Sequence, residues 1–254
     1  MKKFVRVLSS MTVLAGLLAG CGTATDPSQA YPGESPQSIY TYGKTALKDK
    51  NYSESIKRFE ALDVQYPYGS ETENAQFYII YAYYMKDDFA LSEAAADRFI
   101  RLYPTYEHVD YAYYMRGLSA FYKNLGLLER VFPVDLSTRD MVQIRKAYGD
   151  FNELTERFPN STYAPSAHQY LVYLRNLMAG YEQDTAQFYY DRKAYVAAAN
   201  RASDVVAHYQ GAPAVPKALV VMVQSYHKLG MKKEEQNALL LLKYNYPSMQ
   251  VNVD

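Results

Sequence analysis

Residues 51–67 read NYSESIKRFEALDVQYP and residues 88–104 read DFALSEAAADRFIRLYP; the two align without a gap, and KKEEQNALLLLKYNYP at 232–247 ends the same way. Counting back from each closing proline exposes the pattern. One position before Pro67, Pro104, Pro159 and Pro247 stand Tyr66, Tyr103, Phe158 and Tyr246, and Tyr209 before Gln210 fits a further copy that lacks the proline. Five positions back are Leu62, Phe99, Leu154, Val205 and Leu242; eight back are Phe59, Ala96, Phe151, Ala202 and Leu239. Spacings of three and four put these residues on one face of a helix. The ends are separated by 37, 55, 51 and 37 residues, so the third and fourth copies carry insertions of 18 and 14 residues on the shorter period.

A second amphipathic stretch precedes the first copy. Twenty-four positions before Pro67 is Gly43, preceded by Tyr42 and followed by Ala46, within a segment from Gln37 to Lys48. Each unit thus reads as a helix, a turn, a second helix and a proline stop. The pattern resembles the tetratricopeptide repeat, which sets a small residue of its first helix against an aromatic or apolar residue of its second. Ile80 and Val223 replace the small residue in two copies. The resemblance implies an all-α fold, a right-handed solenoid of about five helix pairs over roughly residues 37–247. Phe99, Tyr103 and their equivalents are then inter-helix core. Binding in such arrays falls to the surface lined by the first helices and to edges where one repeat departs from the rest.

The composition agrees with a non-catalytic helical protein. The 254 residues include 27 Lys+Arg, 27 Asp+Glu, one Cys, no Trp and 28 Tyr. That is ample for one large domain or a repeat array. With 21% charged and 49% hydrophobic residues, neither a wholly disordered chain nor a multi-span membrane protein is expected. A formal net charge of zero gives no reason to expect nucleic acid as a partner. One cysteine excludes an intramolecular disulfide framework and a multi-thiolate zinc site. His108, His168, His208 and His227 are scattered, with none at the spacing that lets two imidazoles share a metal on one helix. There is no glycine-rich phosphate loop and no Gly-x-Ser-x-Gly elbow. Neither a cofactor nor an enzymatic activity is expected.

The chain begins with a targeting segment. Lys2, Lys3 and Arg6 precede an apolar run from Val7 to Leu18 that Ser9, Ser10 and Thr12 interrupt. It is too short and polar to span a bilayer and has the form of a secretory signal over residues 1–20. Leu18, Ala19, Gly20 and Cys21 resemble the bacterial lipobox, which makes Cys21 the acylated first residue of the mature chain; the alternative is an ordinary signal with a chance cysteine. Three acyl chains at about 0.8 kcal/mol per buried CH₂ would anchor it in effect permanently. Gly22 stands where an Asp would, in lipoprotein sorting, retain the protein at the inner membrane, so the expected place is the outer membrane, facing the periplasm. Residues 21–36, rich in Gly, Thr, Ser, Pro and Gln, read as a flexible tether with a reach of roughly 50 Å.

A narrower resemblance covers essentially the whole mature chain. FEALDVQYPYG (59–69), IIYAYY (79–84), ADRFIRLYPTYEHVDYAYYMRGL (96–118), VFPVDLSTRD (131–140), ERFPNSTYAPSA (156–167) and FYYDRKAYVAAANR (188–201) resemble the BamD family, tetratricopeptide lipoproteins of the outer-membrane β-barrel assembly machine. Pro133 departs from the family in replacing a glycine typical at that place. The resemblance implies a helper that holds the barrel protein BamA through its last periplasmic POTRA domain. It also implies other lipoproteins of the machine, BamC and BamE, as partners, and unfolded outer-membrane proteins as substrates. It divides the repeats into an N-terminal part, 37–140, with a substrate groove and the insertion, and a C-terminal part, 141–254, that faces BamA.

The family's critical arginine falls in the pair Asn200 and Arg201. An arginine suits a carboxylate partner because its planar fork can bond bidentately. The competing account is a solvated charge, or a pair with Asp204 at i+3; Asn200, Arg201 and Asp204 form the candidate BamA-binding set. For substrate, a groove that takes an aromatic-ended segment needs aromatic lining and donors. Tyr40, Tyr68, Tyr81 and Tyr84 are the candidates for it. A pilotin that assists secretin assembly would share the lipobox and repeats but lack the 188–201 match. A peptidoglycan-associated scaffold would instead cosediment with sacculi.

Overall fold

A computed structural model describes residues 26–123, 125 and 141–252. The signal segment, Cys21 and the insertion with Pro133 lie outside the described residues. Within them the chain forms ten α-helices and no strand: α1 (Pro36–Lys48), α2 (Tyr52–Gln65), α3 (Ser70–Met85), α4 (Phe89–Leu102), α5 (Val109–Tyr122), α6 (Val142–Arg157), α7 (Ala164–Asp191), α8 (Tyr195–His208), α9 (Val215–Leu229) and α10 (Lys232–Asn245). The expected all-α pairing is what the chain adopts. It forms two compact units that divide inside α3, after Ala75.

The closing motif is a helix cap. Tyr66, Tyr103, Phe158, Tyr209 and Tyr246 each leave the helix with an extended φ, and their N–H groups donate to the carbonyls of Leu62, Phe99, Leu154, Val205 and Leu242. A following proline disfavours helical backbone at the residue before it. Tyr209 keeps the geometry before Gln210, so the buried apolar residue and the aromatic suffice without the ring. The turn between the paired helices is also periodic. Lys50, Asp87, Lys193 and Gly230 have φ near +60°, and each stands 17 positions before Pro67, Pro104, Gln210 or Pro247. A left-handed conformation costs an L-residue about 1 kcal/mol, and only the last copy avoids this with glycine.

In the first unit α1 packs on α2 across a glycine. A Cβ built on Gly43 would lie 2.6 Å from Cε1 of Phe59, whose ring is fully buried. Gly43→Ala is therefore expected to destabilise by about 1 kcal/mol, because overpacking of about 1–3 kcal/mol exceeds the helix-propensity gain of about 1 kcal/mol. Urea unfolding measures this, and Phe59→Leu should recover the loss.

The segment ahead of α1 departs from the expectation of a free tether. Residues 26–35 lie along α2, beginning with a short 3₁₀ turn at Pro27–Gln29. Gln65 Nε2 donates to the carbonyls of Pro27 and Ala30 at 2.6 and 2.7 Å, and the Tyr66 hydroxyl donates to that of Glu34 at 3.1 Å. Arg58 stacks over the Tyr31 ring and pairs with Glu34 at 3.1 Å, while the Tyr31 hydroxyl donates to Glu54. Polar side chains of α2 satisfy the backbone of this strap, which is why an apolar-poor sequence still docks.

The second unit holds two core clusters. One centres on Phe99, Phe151, Leu154 and Leu174, the other on Val205, Leu219 and Leu242. Helix α7 joins them, with Met178 in the first and Ala179 in the second. It has 28 residues against 14 in α8, so the insertion of the fourth copy is absorbed as additional helix. The third copy's 18 extra residues fall between α5 and α6. Allowing for them, Gly117 takes the place of Gly43, and a Cβ there would lie 2.8 Å from Cε1 of Phe151. Where the first helix offers glycine, the second supplies phenylalanine; where it offers Ile80, the second supplies Ala96. In these three copies summed volume is nearly conserved while its allocation changes.

Between α4, α5 and α6 runs an ion network with a nearly buried centre and exposed ends. Arg116 meets Asp97 at 3.0 Å, Asp150 at 2.8 Å and Glu153 at 2.6 Å, while Lys146 meets Glu93 at 2.6 Å. The Arg116 and Asp150 side chains are 11% and 10% exposed.

Candidate functional site

Helix α8 buries Ala198, Ala199, Ala202 and Val205 and leaves Asn200, Arg201 and Asp204 exposed. The three candidate residues thus share the open side of one helix, with Val196 beside them at 60% exposure. Arg201 is not paired with Asp204. Its Nη1 donates to Oε2 of Glu182 on α7 at 2.8 Å. Glu182 is also approached by Arg145 Nη2 of α6, at 3.3 Å from Oε1. The Glu182 side chain is 10% exposed and that of Arg201 45%.

The carboxylate arrives there because of the long helix. Met178, Ala179, Glu182, Gln183 and Ala186 are the buried residues along the second half of α7, a helical spacing that places Glu182 on the inward face. Tyr209, the cap of α8, senses the same group: burial pushes its phenol up, Glu182 adds to the rise, and Arg145 and Arg175 oppose it. Arg175 donates to the Gln210 carbonyl. Two arginines, from α6 and α8, therefore meet on one buried acid of α7. Sequence reasoning missed Glu182 and Arg145; the only signal for Glu182 was an acid in register with buried alanines.

The candidate tyrosines fall into different settings. In the first unit Tyr40 is half-buried, its ring 6.4 Å from that of Phe59, with Lys44 Nζ 5.4 Å from its centroid. Tyr68, just past the first proline stop, is 94% exposed. In the second unit Tyr81 is exposed at the surface of α3, whereas Tyr84 is half-buried, set edge-on to Phe89 and Tyr122 at 5.3 and 6.1 Å. Tyr84 thus belongs largely to the core.

Beside these two the second unit carries an aromatic row that crosses from α5 to α7. Tyr163 packs against both Tyr111 and Tyr114, at 5.4 and 5.1 Å, and Tyr170 stacks on Phe151 at 4.8 Å. Tyr122 and Tyr170 share a hydrogen bond at 3.4 Å. Burial pushes the Tyr111 and Tyr170 phenols up, with neighbouring tyrosines adding to it, so both stay neutral and able to donate. Tyr163 and Tyr170 were not among the expected lining residues, because the sequence gives no sign that the first half of α7 lies against α5. Among the described residues no group of three His, Cys, Asp or Glu is placed to hold a metal, and no helix is long and apolar enough to cross a membrane.

Comparison with known proteins gives a consistent result. Residues 32–241 match the family YfiO, described as outer membrane lipoprotein. The outer membrane protein assembly factor BamD of Vibrio cholerae is 35% identical over 94% of this chain and 98% of its own length. The BamD proteins of Neisseria gonorrhoeae and Haemophilus influenzae are 35% and 31% identical, over 93% and 89% of this chain and 90% and 86% of theirs.

Proposed function

Because this chain belongs to the BamD family of outer-membrane lipoproteins, we propose that it binds the periplasmic POTRA region of a BamA-like barrel protein through α8 and receives unfolded outer-membrane proteins at its tyrosine-rich surfaces. It is a non-catalytic outer-membrane protein assembly factor. Lipid on Cys21 fixes it to the outer membrane, and BamC- and BamE-like lipoproteins are further partners.

The observation that carries the α8 assignment is Arg201 itself. One of its nitrogens is held by Glu182 while its side chain remains 45% exposed. A guanidinium has five N–H donors, so most remain available to an incoming acceptor, and the first bond has already fixed the fork. Asn200 and Asp204 flank it with further polar groups on the same exposed side. For substrate, neutral tyrosines combine apolar ring faces with hydroxyl donors, which suits a segment with both aromatic side chains and open backbone.

The test is native co-purification of the lipidated protein from outer membranes in mild detergent, with bound proteins identified by mass spectrometry. A stoichiometric BamA-like protein is expected. Recovery of a secretin in its place would move the protein to the pilotin class. Arg201→Ala is expected to lose about 2–5 kcal/mol of partner affinity as a desolvated pair. Alanine is the cleaner replacement, because Arg201→Glu would set a second carboxylate against Glu182. Wild-type recovery of the barrel protein by Arg201→Ala would remove the α8 assignment.

A further inference from the structure

Two arginines from different helices converge on one nearly buried acid, and their exposure differs sharply from that of the acid. Arg145 and Arg201 are 53% and 45% exposed, whereas Glu182 between them is 10% exposed. The carboxylate lies beneath and the guanidinium groups open outward. Arg145 reaches one oxygen and Arg201 the other, so neither displaces its neighbour. Two cations against one anion leave one positive charge in excess. The simplest chemistry that completes such a group is a second carboxylate, which would alternate the charges and take up the free donors of both forks.

We propose that Glu182 is a positioning residue that holds Arg201 and Arg145 together as a two-pronged receptor for one carboxylate of the partner protein. This rests on the reading of α8 as the partner surface and extends it in two respects. It adds a second cationic contact, Arg145, from a neighbouring helix. It also makes the receptor depend on a buried acid that touches no partner. The assignment has a distinctive kinetic consequence. Neutralising Glu182 raises the positive charge of the patch, which favours encounter with an acidic group, yet frees both forks, which shortens the life of the complex.

The experiment measures association and dissociation of the full lipidated chain in detergent with the soluble POTRA region of the BamA-like protein from the same cells. The variants are E182Q, R145Q, R201A and the double variant E182Q/R201A. R201A should weaken binding at least about 30-fold. E182Q should weaken it about 5–20-fold, entirely through faster dissociation, with association unchanged or faster. R145Q should weaken it about 3–10-fold through slower association and a shallower dependence on salt. In the R201A background E182Q should cost clearly less than in the wild type, since only Arg145 is left for it to position.

The outcomes separate the two readings. If R201A binds as wild type, the partner surface itself is misassigned and this proposal goes with it. If R201A fails while E182Q binds as well as wild type, the positioning role alone is overturned. A loss on adding E182Q to R201A as large as in the wild type, in step with a lowered melting temperature, would make Glu182 merely structural and overturn it as well. Should E182Q fail to fold, R145Q decides: its exposed side chain can be changed without burying a lone charge, and wild-type association with an unaltered salt dependence overturns the two-pronged receptor.

Discussion

Arg116→Ala is expected to cost about 3–5 kcal/mol of stability at neutral pH, because it strips a nearly buried acid of its nearest cation. Asp150 is 10% exposed and 2.8 Å from Arg116 Nε; with the guanidinium gone, its remaining cation is Lys146 at 3.6 Å. Asp97 and Glu153 lose one bond each in the same step and keep Arg101 and Arg157. Chemical denaturation measures the loss. Replacement of the whole cluster by apolar side chains of similar volume should be far milder, since the cost comes from orphaning charges and not from removing attraction.

The pH dependence carries its own sign. Burial pushes the Asp97 carboxyl up, but hydrogen bonds from Arg116 and Arg101 more than offset this and hold it below the usual range. Its contribution is present above its unfolded value near pH 4 and is lost as pH falls through the lower folded value. Burial pushes Asp150 up despite the opposing pull of Arg116 and Lys146. Without Arg116 that opposition weakens, so protonation relieves the variant as pH falls. Both effects run in one direction but in different windows: Asp150 should narrow the gap between wild type and Arg116→Ala as pH falls from 7 towards 4, and Asp97 should narrow it further only below pH 4.

Phe151→Ala is expected to cost about 3–5 kcal/mol, the loss of a fully buried ring together with the void it leaves. Its ring is stacked on Tyr170 at an interplanar angle of 10°, 5.9 Å from Tyr114, and directly over Gly117. The glycine makes the test specific. Gly117→Val alone overpacks a ring that has no room to retreat, but in the Phe151→Ala background it refills part of the void. The two changes together should cost less than their sum by at least about 1 kcal/mol. Additive losses would mean that the close approach of α5 and α6 does not depend on this pair.

The sequence was most informative where one residue meets one requirement. The aromatic-proline stop and the apolar residue four positions before the aromatic recur because every copy must cap its second helix in the same way. Where a requirement can be met by several residues, periodicity was lost. The left-handed turn is occupied by Lys50, Asp87, Lys193 and Gly230, so no one residue type marks it. Gly117 lay hidden behind the 18-residue insertion, although its partner Phe151 was in register. At the α8 site Arg201 was legible through the family resemblance, whereas Glu182 and Arg145 reach it from α7 and α6 across the doubled length of a helix. The aromatic row of the second unit depends on the same packing of α7.

The docked strap changes what the lipid does to the first helix pair. With residues 26–35 held on α2 by Gln65, Tyr66 and Arg58, only residues 21–25 would separate the lipid proposed on Cys21 from the folded surface. Five residues span at most about 18 Å, against roughly 50 Å for an undocked segment. With that proposed anchor the first helix pair would be confined to a shallow shell beneath the bilayer, and a precursor received there as proposed would stay close to it. Individually feeble contacts would then suffice for the proposed capture, and would remain feeble enough to let the chain go.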